Sequence, residues 1–283
     1  MAPVAQLDRV LPSEGRGRTF ESSRARQFSF AGRQEFPPHA TKCAQYGKVS
    51  QKVERAFVNT RSSKGAPIPW LAWLLPALVV AFAFAQEAVT ITDAQIARLA
   101  ESFGPVARER LTGWRSLMSN PKNRGIGERQ KLELVNDFMN RTRFLSDQEH
   151  WGKEDYWATP IEFLSTNGGD CEDFSIAKYF TLRTLGVPDD KLQITHVMEI
   201  RVYNTAHMVL AYFATADAEP VILDNINKSI QPASTRTDLV PVYSFNGSGL
   251  WLAKEQTGRG QSVGSSDRIG HWKDLQTRMR GAS

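Results

Sequence analysis

Cys171, His207 and Asp224 follow one another along the chain, and their types are those of a nucleophile, a base and an orienting acid. Cys171 comes after the turn Asn167-Gly168-Gly169 and opens CEDFSIAKYFTLRTL, which reads as a helix capped by Asp170 and stopped by Gly186 and Pro188. At the first turn of a helix, unpaired N–H groups and the helix dipole lower the pKa of a thiol. The same N–H groups stabilise an oxyanion in acyl transfer. The plain reading of such a cysteine is a small buried hydrophobe.

His207 stands near the start of AHMVLAYF, and Asp224 ends PVILD; both runs have strand character and are joined by a polar turn around 215–218. Opposed residues in a symmetric hairpin have a constant index sum, and 207 with 224 gives 431, so the two side chains fall opposite or diagonal at the open end. There a carboxylate can orient an imidazole, which takes the thiol proton. A hydrogen-bonded core histidine and a turn-forming aspartate are the plain readings of these two residues. His196, inside THVMEI, is a rival base. Asn167 is a second oxyanion donor by proximity alone. Trp151, Tyr156 and Trp157 fit a substrate groove or a packed core equally well.

These residues need helices first and strands after. Residues 93–119 read as helical with a break near Gly104-Pro105, because Ile96, Leu99 and Phe103 share one face. Residues 120–127 read as a polar turn, 128–144 as a second helix with Leu132, Val135, Phe138 and Met139 on its apolar face, and Pro160 opens a short third. The period then changes to two, predicting strands over 192–203, 207–214, 220–224 and 240–245. Residues 256–267 are Gly/Ser-rich and expected to be mobile, ahead of a short helix over 271–279. The order predicts an α+β domain. There is no internal repeat, GxGxxG or P-loop.

Composition narrows the function classes. The 283 residues are 41% hydrophobic and 23% charged, which excludes a disordered or collagen-like chain. Two cysteines, Cys43 and Cys171, are too few for a cysteine zinc site or a disulfide scaffold. The net charge of +5 is unevenly placed: residues 1–65 carry twelve basic and five acidic residues, or +7, and the remainder carries −2. Nucleic-acid binding by the body therefore loses its support.

Residues 1–57 lack periodicity and resemble translation through a neighbouring tRNA gene, Phe20-Glu21-Ser22 being readable from a T-loop sequence. We expect them to be a mis-assigned or disordered basic extension. Residues 58–85 have the plan of a signal peptide: basic Arg61 and Lys64, an apolar run of 13 residues from Trp70 to Phe82, and Ala83-Phe84-Ala85 before a cut after Ala85. The expected organisation is then an exported domain over 86–255, followed by a linker with a short helix over 256–283. The exported part keeps one cysteine, Cys171, which cannot form an intramolecular disulfide.

YWATPIEFLSTNGGDCEDFSIAKYFTLRTLGVP, AHMVLAYF and VILDNINKSIQPASTRTDLVPVYSFNGSGLWL closely resemble the bacterial transglutaminase-like cysteine proteinase family, from about Ile91 to Leu252. The resemblance implies a papain/transglutaminase-like α+β fold with Cys171 as nucleophile, His207 as general base and Asp224 as orienter. It implies Ca²⁺ held by Asp170 and Glu172, with Asp173 nearby. Clustered carboxylates are hard oxygen ligands that suit Ca²⁺, although capping and dipole complementation explain the same acids. It further implies cleavage of a large surface adhesin near its N-terminus, at a pair of alanines, releasing cells from a biofilm. An inner-membrane cyclic di-GMP receptor would sequester the protease through its periplasmic domain. Transglutaminase-type acyl transfer to an amine and a non-catalytic binding module are the alternatives.

Overall fold

A computed structural model describes residues 89–201, 204–252 and 260–281. The expected basic extension and signal peptide lie outside the described residues.

Helices come first. α1 (Asp93–Phe103) starts from a capping box in which Thr92 Oγ1 accepts from the Gln95 N–H and Gln95 Oε1 accepts from the Thr92 N–H. It ends at Gly104, φ 85°, a conformation that suits glycine, and Pro105 opens α2 (Pro105–Ser119). The expected break is therefore real. The polar turn predicted next contains a short helix, α3 (Pro121–Gly125), which Asn120 caps by accepting from the Lys122 N–H at 3.0 Å.

α4 spans Glu128–Met139, five residues shorter than the sequence predicts. The Asn140 side chain turns to the Asp224 carbonyl at 3.0 Å, and Arg143–Phe144 becomes strand β1. β1 pairs in parallel with β2 (Gly168–Gly169), so a long-range pairing overrides the local helical pattern. Between them lie α5 (Asp147–His150) and α6 (Pro160–Thr166). Thr159 and Glu162 close a capping box at the start of α6, and Asn167, φ 58°, ends it in a left-handed cap.

α7 (Cys171–Thr184) is buried on nearly every side, which marks a helix inside the domain rather than on its surface. It packs on the antiparallel sheet formed by β3 (Leu192–Glu199), β4 (Thr205–Tyr212), β5 (Val221–Leu223), β6 (Gln231–Pro232), β7 (Leu239–Phe245), β8 (Leu250–Leu252) and β9 (Gln261–Gly264). The strand order is β6-β5-β4-β3-β7-β8-β9. β3 ends four residues earlier than expected. β8 went unpredicted, and β9 lies in the segment expected to be mobile, because each is specified by pairing with a neighbour rather than by its own pattern. The last helix, α8 (Gly270–Gly281), buries Trp272 and Leu275.

The core lies between the helices and the sheet, around Trp114, Leu132, Phe163, Ile176, Leu210 and Phe245. The fold is the expected α+β arrangement.

Candidate active site

Gly168-Gly169 delivers the chain to Cys171 in a space too tight for any side chain. A Cβ on Gly169 would stand 2.4 Å from Asp173 Oδ2 and 2.7 Å from Phe163. The half-buried Cys171 opens α7, and its thiol is met by the backbone of Met208 in β4, the residue after His207. One turn on, Ser175 Oγ shares its proton between the Cys171 carbonyl at 2.9 Å and the Met208 carbonyl at 3.1 Å, fixing helix to strand.

β4 and β5 pair with Leu210 opposite Leu223, an index sum of 433 rather than 431. The two-residue shift puts Asp224 in register with Val209 and diagonal to His207. His207 Nε2 lies 2.8 Å from Asp224 Oδ1, with both side chains buried. An ionised carboxylate only accepts, so Nε2 carries the proton and Nδ1 keeps its lone pair.

Asp224 has further anchors. Its Oδ1 accepts from the Ile226 N–H at 3.0 Å, and its Oδ2 accepts from Arg236 Nη2 at 2.8 Å. Its carbonyl accepts from Lys178 Nζ at 2.9 Å as well as from Asn140. Burial alone would raise this carboxyl, but His207, the Ile226 N–H and Arg236 overcome it and hold the group below the ordinary carboxylate range. A cleft of about 360 Å³ beside the pair is lined by Glu199, Arg201, His207, Asp224, Arg236 and Asp238 among others.

The rival base, His196, is in register with Met208 and stacks on Tyr243, ring centroids 5.0 Å apart. Burial, then the nearby His207, lowers it to about 4. Asp224 pairs with His207 instead. Trp157 is core, stacked between Phe245 and His271, and Tyr156 is held by Glu162 and Arg278. Trp151 is half-buried against Tyr156, ring centroids 4.9 Å apart. Asn167 serves as the left-handed cap of α6, a structural role that accounts for it.

The acids around the thiol reverse one expectation. The Cys171 thiol donates to Glu172 Oε2 at 3.0 Å. Burial pushes the thiol well above its ordinary value, and Glu172 and Asp170 push it further, against the opposing Met208 hydrogen bond. Burial first, and then two carboxylates at close range, outweigh the partial charge of the helix start.

The predicted ligands Asp170, Glu172 and Asp173 do gather, and Asp147 of α5 and Asp155 of the following loop join them. Candidate ligand atoms of Asp147, Asp155 and Glu172, and likewise of Asp147, Asp170 and Asp173, lie within 4.8 Å of one another. Asp155 also pairs with His271 at 3.3 Å. Asp173 is engaged twice by backbone, accepting from the Ala158 N–H at 2.7 Å and the Asp170 N–H at 3.3 Å. Asp170 makes no side-chain cap hydrogen bond, and its buried Oδ1 has no hydrogen-bond partner among the described residues. Burial, then Glu172, raises the carboxyls of both Asp170 and Asp173. A buried, mutually repelling set of oxygen donors with one orphaned oxygen fits a hard divalent cation. Asp147 and Asp155 were invisible in the sequence because they stand sixteen to twenty-four residues before the cysteine and carry no spacing signal.

A cysteine at the buried start of a helix, packed on an antiparallel sheet that carries a His–Asp pair, places the molecule in the transglutaminase-like class of thiol hydrolase folds. The sequence profile of bacterial transglutaminase-like cysteine proteinases (BTLCP) matches residues 116–257. LapG of Legionella pneumophila is 42% identical, with a TM-score of 0.58 over 68% of this chain and 99% of that one. Its EGTA-treated form is 43% identical, TM-score 0.58, over 68% and 100% of the two chains. Its calcium-bound form is 43% identical, TM-score 0.57, over 67% and 99%. No curated protein matches the chain. The chain belongs to the bacterial transglutaminase-like cysteine proteinase family.

Proposed function

We propose that the protein is a calcium-dependent periplasmic cysteine endopeptidase that cuts a large surface adhesin in its N-terminal region, at a pair of alanines, and so releases cells from a biofilm. The observation that carries this reading is the 2.8 Å contact of His207 with Asp224, one residue along β4 from the point where Cys171 meets the strand. Family membership and 42% identity to LapG support it. The signal-like segment before Gln86 supports export. An inner-membrane cyclic di-GMP receptor is the proposed inhibitor.

His207 Nδ1 takes the Cys171 proton, and Sγ adds to the scissile carbonyl. The oxyanion is held by N–H groups at the start of α7. The tetrahedral species collapses, the imidazolium gives its proton to the leaving amine, and a thioester remains. Water, deprotonated by His207, adds to the thioester. Collapse releases the acid and returns the proton to sulfur. Asp224 holds Nε2–H throughout and stabilises the imidazolium.

Asp170 and Glu172, with Asp147, Asp155 and Asp173 around them, would hold Ca²⁺. Bound there, the ion would supply positive charge that offsets the carboxylates beside the thiol.

The test is to mix the purified protein with the N-terminal fragment of a large repeat adhesin from the same genome, in calcium, in chelator, and with Cys171→Ala. A single cut that requires both calcium and Cys171 is expected. Uncut fragment in every sample, together with a thiol that resists alkylation in calcium, would favour the binding-module reading.

A further inference from the structure

Arg236 follows a short turn of 3₁₀ helix at Ala233–Thr235 and nothing in its local sequence sets it apart. Its side chain is only 3% exposed. Nη2 bridges two carboxylates, donating to Asp224 Oδ2 at 2.8 Å and Asp238 Oδ2 at 2.7 Å, while Nε donates to Asp238 Oδ1 at 3.0 Å. Asp238 thus grips the guanidinium side-on and aims one arm at Asp224. The third arm, Nη1, is buried with no hydrogen-bond partner among the described residues.

Oδ1 of Asp224 already serves His207 and the Ile226 N–H. Arg236 claims the other oxygen, so the carboxylate cannot rotate away from the imidazole. Its charge also offsets part of the negative charge that makes an imidazole beside a carboxylate strongly basic. Too basic an imidazole holds a proton and cannot accept one from the thiol at neutral pH.

We propose that Arg236 is a positioning residue of the reaction: it locks the Asp224 carboxylate against His207 and tempers the basicity of that imidazole. The proposal rests on the reading of Cys171, His207 and Asp224 as the reacting set. The charged and titratable groups around His207 are Asp224 at the end of β5, Cys171 of α7, His196 of β3, and Glu199, Arg201, Arg236 and Asp238 along the cleft.

The experiment needs no identified substrate. ¹⁵N-histidine NMR titrates His207 in calcium-saturated Cys171→Ala protein, alone and combined with Arg236→Met, Arg236→Lys or Asp224→Asn. The same three substitutions in protein that keeps Cys171 are assayed for iodoacetamide alkylation across pH. Circular dichroism and thermal melting check the fold of each variant. Arg236→Met is expected to raise the His207 pKa by about one unit and to slow alkylation at pH 7 several-fold. Arg236→Lys, which keeps the charge, is expected to restore most of the pKa while leaving alkylation intermediate, because a single ammonium cannot fork to both carboxylates. Asp224→Asn is expected to lower the His207 pKa.

An unchanged titration in Arg236→Met, with a shifted one in Asp224→Asn, overturns the role of Arg236 and leaves the reacting set standing. An unchanged titration in Asp224→Asn overturns both. If Arg236→Met does not fold, Arg236→Gln, which keeps a donor and drops the charge, is read by the same criterion.

Discussion

Lys178 is a buried amine whose hydrogen-bond acceptor among the described residues is the carbonyl of Asp224 at 2.9 Å. Burial lowers its pKa to about 7, against the upward pull of Asp224, whereas an unfolded lysine titrates near 10.4. Between about pH 7 and pH 10 the unfolded chain therefore holds a proton the native one has lost, and this residue makes stability rise with pH through that window. Lys178→Met is expected to remove a few kcal/mol of that rise, read as the difference between variant and parent in urea unfolding at pH 7 and pH 10. Equal slopes would assign the titration to another group. Asp224 has the same sense at lower pH. The contribution of its depressed carboxyl is fully present above its unfolded value near 3.9 and is lost only as pH falls toward its folded value, so the Asp224 carboxylate stays ionised through neutral and mildly acidic conditions.

The start of α7 is set by its contacts on both sides. The β1–β2 pairing holds Gly168-Gly169, Asp173 ties the helix start to Ala158, and Ser175 ties it to β4. Gly169→Ala would drive a methyl into Asp173 and Phe163, atoms of the same helix start and of α6. It is expected to cost roughly 1–3 kcal/mol in denaturant unfolding and to lower Cys171 alkylation in calcium, because the helix moves relative to His207. Full alkylation with reduced stability would mean the helix start tolerates the shift. Asp147 and Asp155 belong to a different element from Asp170 and Glu172, so a cation among them would clamp the α5 loop to the α7 start. Asp147→Asn is expected to weaken Ca²⁺ binding by about 10- to 100-fold, read by calorimetry with the protein otherwise folded.

Across the whole molecule, calcium is expected to act as a stabilising ligand, by about 2.7 kcal/mol at a concentration one hundred times its Kd. The thermal midpoint should climb with calcium in the parent protein and stay flat in Asp170→Asn and Glu172→Gln. A midpoint that ignores calcium in the parent would remove the metal from the site. The chain order of Cys171, His207 and Asp224, the helix that opens at Cys171, the α+β order of elements and the acids beside the cysteine were all legible, because each is a local pattern of period, cap or neighbour. Arg236, Lys178 and Asn140 were not. They reach Asp224 across sequence separations of 12, 46 and 84 residues, and as residue types they look like any others. The helix dipole predicted a lowered thiol pKa, but burial, which only the fold sets, raises it, and the adjacent Glu172 and Asp170 raise it further. The sequence alone determined which side-chain types are available at Cys171, His207 and Asp224 and which elements carry them, since these follow from local backbone preference and side-chain chemistry. Tertiary structure alone decided the register of β4 on β5, the arrival of Asp147 and Asp155 beside the three acids at the thiol, and the cations that hold Asp224, because burial and long-range pairing set those electrostatics.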